Sequence, residues 1–175
     1  MELERRAVAE IRTSGRTLYG IAAPFNRPAD IAGMFTETIM PGAFAATLAK
    51  RADVLALANH RSDALLGRTR SGTLRLQETS AGLEYSLDLP ATSLGNDVLA
   101  LAQRGDLGGI SIGFVADSEA WPDKSTRQLR AVTLHEVSVI SGHAAYGDAT
   151  TIALRHRFWA EASRPQMRRR LLAVL

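Results

Sequence analysis

Four histidines and one glycine-flanked serine are the residues here whose types suit acid–base and nucleophilic chemistry. His60 directly follows the apolar run Asp53–Ala58 and sits in the polar break Asn59-His60-Arg61-Ser62-Asp63. A histidine at the point where a strand leaves the core can be half-buried yet reachable, which suits a general base. Taken alone it reads more readily as a loop histidine without a role. Ser111 lies in GGISIGF, Gly108–Phe114. A serine hydroxyl is unreactive until a base removes its proton, and the oxyanion that then develops needs hydrogen-bond donors. Flanking glycines leave room for a substrate or for closely packed backbone. Gly109-Ile110-Ser111-Ile112-Gly113 matches the string of a hydrolase nucleophile elbow. A helix should follow that elbow, whereas Ile112–Val115 continue as strand, so the elbow is not expected. Without other information, a strand serine between small residues serves packing.

Glu136 stands in the apolar stretch LHEVSVIS, Leu134–Ser141. A buried acid needs a partner, and histidine is a natural one, as in serine-protease triads. The alternative is a solvent-facing Glu136 on an edge strand. Neighbouring strand residues point to opposite faces, so only one of His135 and Glu136 can address a site. His135, Glu136 and His143 lack the H-E-x-x-H spacing because position 139 is valine, so no metal is expected, and no cofactor.

The elements that must position these residues are mostly short strands. Ala7–Arg12 and Thr17–Ala23 are apolar-rich, with Ser14-Gly15 as the turn between them. Phe35–Met40 follows a loop holding Pro28 and Gly33. Pro41-Gly42 opens a helix over Ala43–Arg51. Leu65–Thr69 is a short strand. Thr73–Gln77 and Leu83–Leu89 alternate and are joined by a turn at Ser80-Ala81-Gly82. Asn96–Arg104 has helical spacing, with Ser93 or Asn96 as N-cap and Gly105 as the stop. Ile110–Ala116 and Leu129–Ile140 read as strands around a polar turn at Asp123–Thr126. The strands are not regularly separated by helices, which argues against a doubly wound sheet. A mainly β, α+β chain with a closed or sandwich-like β core fits better.

The chain has 175 residues, 46% hydrophobic and 22% charged, with no cysteine. That is one domain's worth of ordinary globular composition, without disulfides, thiolate nucleophiles or Cys-type zinc sites. No signal-like apolar run opens it and no membrane span is expected. The net charge of +3 is uneven. Residues 151–175 hold six arginines against Glu161, which leaves residues 1–150 net negative. The division expected is a body over 1–150 and a basic tail over 151–175, helical or disordered. Such a tail can dock on nucleic acid or on an acidic protein surface.

Taken in order, these segments form a pattern. FN-x-x-AD at Phe25–Asp30 and PGAF at Pro41–Phe44 come first, then Asn59-His60 and GLEYSLDLP at Gly82–Pro90. GDLGGISIGF at Gly105–Phe114, LHEVSVIS and Ala145-Tyr146 complete it. The set resembles the prohead protease family of tailed phages and phage-derived gene transfer agents, over roughly residues 7–154. That family is similar to the herpesvirus assemblin serine proteases. The resemblance implies a closed β-barrel core surrounded by a few helices. It implies a serine endopeptidase packaged in the immature capsid within the host cytoplasm. There it would cut scaffold, or the N-terminal scaffolding segment of the major capsid protein, and also itself. Carried over, His60 is the base, Ser111 the nucleophile and Glu136 the third member. His135 is the alternative third member, because assemblins use a second histidine there. The arginine-rich turn that helps hold the assemblin oxyanion has no counterpart at Ser141–Ala145, leaving backbone N–H groups near Ile112 as candidates. Capsid protein and scaffold are the implied partners, with a homodimer typical of the herpesvirus relatives. Nucleic acid is not expected as the main partner, nor is a membrane. The competing reading is an inactive structural relative that keeps the barrel as a scaffold-interaction protein. A generic binding module anchored to nucleic acid by its tail ranks last.

Overall fold

The computed structural model describes residues 3–8, 11–31 and 33–141. Eleven strands and two helices follow one another along the described chain. β1 (Glu4–Val8), β2 (Arg12–Ser14), β3 (Thr17–Pro24), β4 (Ala29–Ile31) and β5 (Phe35–Ile39) lead into the short helix α1 (Ala45–Ala49). β6 (Leu55–Ala58), β7 (Arg61–Arg68), β8 (Leu74–Glu78) and β9 (Gly82–Asp88) precede α2 (Ser93–Arg104). β10 (Gly109–Asp123) and β11 (Thr126–Ile140) close the described chain as a hairpin of two long strands. The mainly β, α+β composition expected from the alternating segments is therefore present. His143, Ala145, Tyr146 and the basic tail lie outside the described residues.

The strands form two hydrogen-bonded sheets. In the larger, the order is β1-β10-β11-β5-β4, with β6 also paired to β11 and β7 to β6. The smaller is β2-β3-β9-β8. β11 is long enough to take two parallel partners along one edge: β5 beside Thr126–Leu129, and β6 beside Glu136–Val139. α1 lies in the connection between those partners and packs on β11. The two sheets bury one common core, to which Leu18, Leu83 and Leu87 of the smaller and Ile110, Ile112 and Phe114 of the larger contribute. No closed barrel of hydrogen-bonded strands is found among the described residues. β1 and β10 meet β3 by packing, and so does β7 with β9, without a shared ladder.

Local chemistry accounts for the ends of these elements. Thr92, rather than Ser93 or Asn96, caps α2, its Oγ1 accepting from the backbone N–H of Gly95 at 3.2 Å. Gly105 ends the helix in the left-handed conformation, φ 76°, where a side chain would be strained.

β1 is fastened to the large sheet by a buried ionic cluster. Arg6 Nε donates to Glu37 Oε1 at 2.5 Å, and its Nη2 donates to Glu37 Oε2 at 2.6 Å and Glu4 Oε2 at 2.8 Å. Arg127 on β11 joins Glu4, Glu37 and Glu119. Burial alone would push the Glu4 carboxyl up, but hydrogen bonding and charge attraction from Arg127 and Arg6 hold it below its usual value. A carboxyl held down in the folded chain stabilises it above the unfolded-state value, about 4.3. That contribution disappears as pH falls through the folded-state value. The urea midpoint should therefore stay level above about pH 5 and fall below about pH 4. A midpoint that is level through the acid range would remove this cluster from the stability of the chain.

Candidate active site

Period-two alternation explains the GISIG segment. Ile110 and Ile112 are fully buried in the core between the sheets. Gly109, Ser111 and Gly113 therefore lie on the other face of β10. Across the β10–β11 ladder Ser111 stands opposite Ser138, and Gly113 opposite Glu136. On its other edge β10 pairs with β1, with Ala7 opposite Ser111 and Arg5 opposite Gly113. Ser111, Ser138, Glu136 and Arg5 thus share one face of three adjacent strands.

His60 reaches this face from a two-residue hairpin. Ala58 of β6 pairs with Arg61 of β7, leaving Asn59-His60 as the whole turn. Both have positive φ, 52° and 61°, the signature of a type I′ turn in which asparagine is at home and glycine usually follows. Histidine in the second place is a strained choice, of the kind that accumulates at functional sites. Asn59 fastens the turn to the end of β11. Its N–H donates to the Val139 carbonyl at 2.8 Å, and its Oδ1 accepts from the Ser141 N–H at 2.8 Å. Because β6 runs parallel to β11 beside Glu136–Val139, the turn is brought to the carboxylate two residues before Ser138.

There His60 Nδ1 and Glu136 Oε1 are 2.5 Å apart, with both side chains about nine-tenths buried. Arg5 Nε donates to the same oxygen at 3.3 Å. Burial would raise the Glu136 carboxyl, but the hydrogen bond and charge of His60, then Arg5, hold it below its usual value. An ionised Glu136 accepts from Nδ1–H and so places the free lone pair of His60 on Nε2. Nε2 is buried without a hydrogen-bond partner among the described residues, and the fully buried Ser111 Oγ is likewise unpartnered. No hydrogen bond joins the two. Such bonds are often long in an empty site and tighten when substrate arrives.

His135, the alternative third member, is exposed, while its neighbour Glu136 is the residue in contact with His60. Strand alternation puts the two on opposite faces. Backbone N–H groups near Ile112 are poorly placed as oxyanion donors. β10 is paired on both edges there, with Arg6 and Val137, so its amides lie in the plane of the sheet. Two members of the face, Arg5 and Ser138, were not singled out from sequence. Ser138 was within reach by counting two from Glu136. Arg5 was hidden because the first strand begins earlier than its apolar residues suggest.

A carboxylate on one nitrogen of a histidine, the other nitrogen free, and a serine on the same face make the composition of a Ser-His-acid set. The chain belongs to the caudovirus prohead serine protease family, whose model matches residues 1–163. Membership supports a role in capsid maturation. Neither a curated protein nor a solved structure matches the chain.

Arg5 has a testable consequence. It favours the deprotonated carboxylate, so without it Glu136 takes up its proton at higher pH. Arg5→Ala should move the acid limb of the kcat/KM profile to higher pH, and Arg5→Lys should restore most of its position. An unmoved limb would leave Arg5 a purely structural residue.

Proposed function

We propose that this chain is an active serine endopeptidase of the prohead, with Ser111 as nucleophile, His60 as general base and Glu136 as the member that orients His60. The observation that carries it is the buried His60 Nδ1–Glu136 bond, which leaves Nε2 free beside a face bearing an unpartnered serine. Ser111 Oγ attacks a peptide carbonyl while His60 Nε2 takes its proton. The C–N bond breaks as His60 returns that proton to the leaving amine. Water, deprotonated by His60, then hydrolyses the ester.

The substrates in this reading are scaffold and the scaffolding segment of the major capsid protein, with self-cleavage included, inside the prohead in the host cytoplasm. Family membership supports a capsid setting. Among the described residues no helix is long and apolar enough to cross a membrane. We also read the core as assemblin-like, a barrel completed by side-chain packing where β3 meets β1 and β10, and where β7 meets β9. A basic tail over 151–175 that docks on capsid or scaffold belongs to the same reading, as does a homodimer. The inactive scaffold-interaction alternative gives no reason for a strained histidine on a buried carboxylate.

The test is co-expression with the cognate capsid protein, followed by intact-mass measurement, together with labelling of the purified chain by a fluorophosphonate. Shortened capsid protein and an adduct on Ser111 are expected. Uncut capsid protein with no adduct would establish the inactive alternative.

A further inference from the structure

We propose that Ser138 is a second catalytic hydroxyl, whose Oγ–H donates to the oxygen on which charge develops when Ser111 attacks. This rests on the reading of Ser111 as nucleophile. Ser138 is fully buried, and its Oγ has no hydrogen-bond partner among the described residues. It is the ladder partner of Ser111, and directly opposed side chains in an antiparallel pair have Cβ atoms about 4.5–5.5 Å apart. Two residues from Glu136, it shares that carboxylate's face.

An unpaired buried hydroxyl costs stability that alanine would avoid at nearly the same volume. The expense becomes useful if a partner arrives during the reaction. As the Ser111 Oγ–carbon bond forms, the carbonyl π pair moves onto oxygen and the serine proton passes to His60. A donor already desolvated beside Ser111 gains its hydrogen bond at that moment, so it stabilises the transition state more than bound substrate. When the intermediate collapses the pair returns and the C–N bond breaks, so Ser138 ends unchanged. The need is specific to this site, because the β10 amides around Ile112 are turned into the sheet.

The experiment uses the full-length chain and a peptide spanning its capsid cleavage site, with steady-state kinetics and thermal melting of wild type, Ser138→Ala and Ser138→Thr. A peptide aldehyde of the same sequence serves as the oxyanion-forming inhibitor. Ser138→Ala should lower kcat about 10- to 1,000-fold with KM little changed and an equal or higher melting temperature. Affinity for the aldehyde should fall in parallel. Ser138→Thr, which keeps the hydroxyl, should recover much of the loss. If the threonine variant does not fold, the joint loss of kcat and aldehyde affinity in the alanine variant decides. Normal kcat in Ser138→Ala, beside an inactive Ser111→Ala, would overturn the role of Ser138 alone. A fluorophosphonate adduct on Ser138 in place of Ser111 would overturn both assignments.

Discussion

Ser111→Ala should lower kcat for capsid-peptide cleavage by about 10⁴- to 10⁶-fold, and His60→Ala by a comparable factor. The double variant should be no slower than either single one, because the two groups act in one step: without a base the hydroxyl is not activated, and without the hydroxyl the base has nothing to activate. Stability should separate them. Ser111 Oγ is buried and has no hydrogen-bond partner among the described residues, so its removal relieves an unsatisfied group, and the melting temperature should hold or rise. His60→Ala removes a partner from the buried Glu136, leaving Arg5 as its remaining side-chain hydrogen-bond partner among the described residues, and should lower the melting temperature. Residual cleavage by Ser111→Ala within tenfold of wild type would remove it as nucleophile.

How far the sequence discloses this site depends on which signal each element carries. The alternation in Leu83–Leu89 appears as β9, and the long apolar run ending at Ile140 as β11, because each buries one or both faces. β7 escaped notice in part because it opens with the exposed Arg61-Ser62-Asp63, which reads as loop. Its turn uses Asn-His where Asn-Gly would have signalled a hairpin. β4 is three residues long, stabilised by pairing with β5 rather than by a pattern of its own. Within the site, His60, Ser111 and Glu136 were legible as residue types set in ordered segments. Their convergence was not, because it depends on β6 lying parallel to β11, a pairing between segments some 80 residues apart. That Glu136 rather than His135 meets His60 also needed the structure, since alternation says that one faces inward without saying which. The charges of the buried cluster on β1, β5, β10 and β11 resemble ordinary surface alternation until the ladders bring them together.

The role of Gly113 follows from the crowding around Glu136. A Cβ built on Gly113 would stand 2.5 Å from Cγ and 2.8 Å from Oε1 of Glu136. Real carbon atoms do not approach so closely, and both backbones are fixed in a ladder. The side chain must therefore give way, and its bond to His60 moves with it. Glu136→Gln removes the same interaction by another route, keeping the shape but withdrawing the charge that fixes the tautomer of His60. In other triads such a change costs about 10⁴ in kcat, and about 10³- to 10⁴-fold is expected here. Gly113→Ala should approach that loss if its effect runs through Glu136. A double-mutant cycle can separate this from general damage to β10. In a Glu136→Ala background the clashing atoms Cγ, Cδ and Oε1 are gone, so adding Gly113→Ala should lower kcat by less than about threefold. The same substitution in the wild-type background should cost at least a hundredfold. Equal losses in the two backgrounds would mean that Gly113 serves the strand rather than the carboxylate, and the closing glycine of the serine motif would then need another explanation.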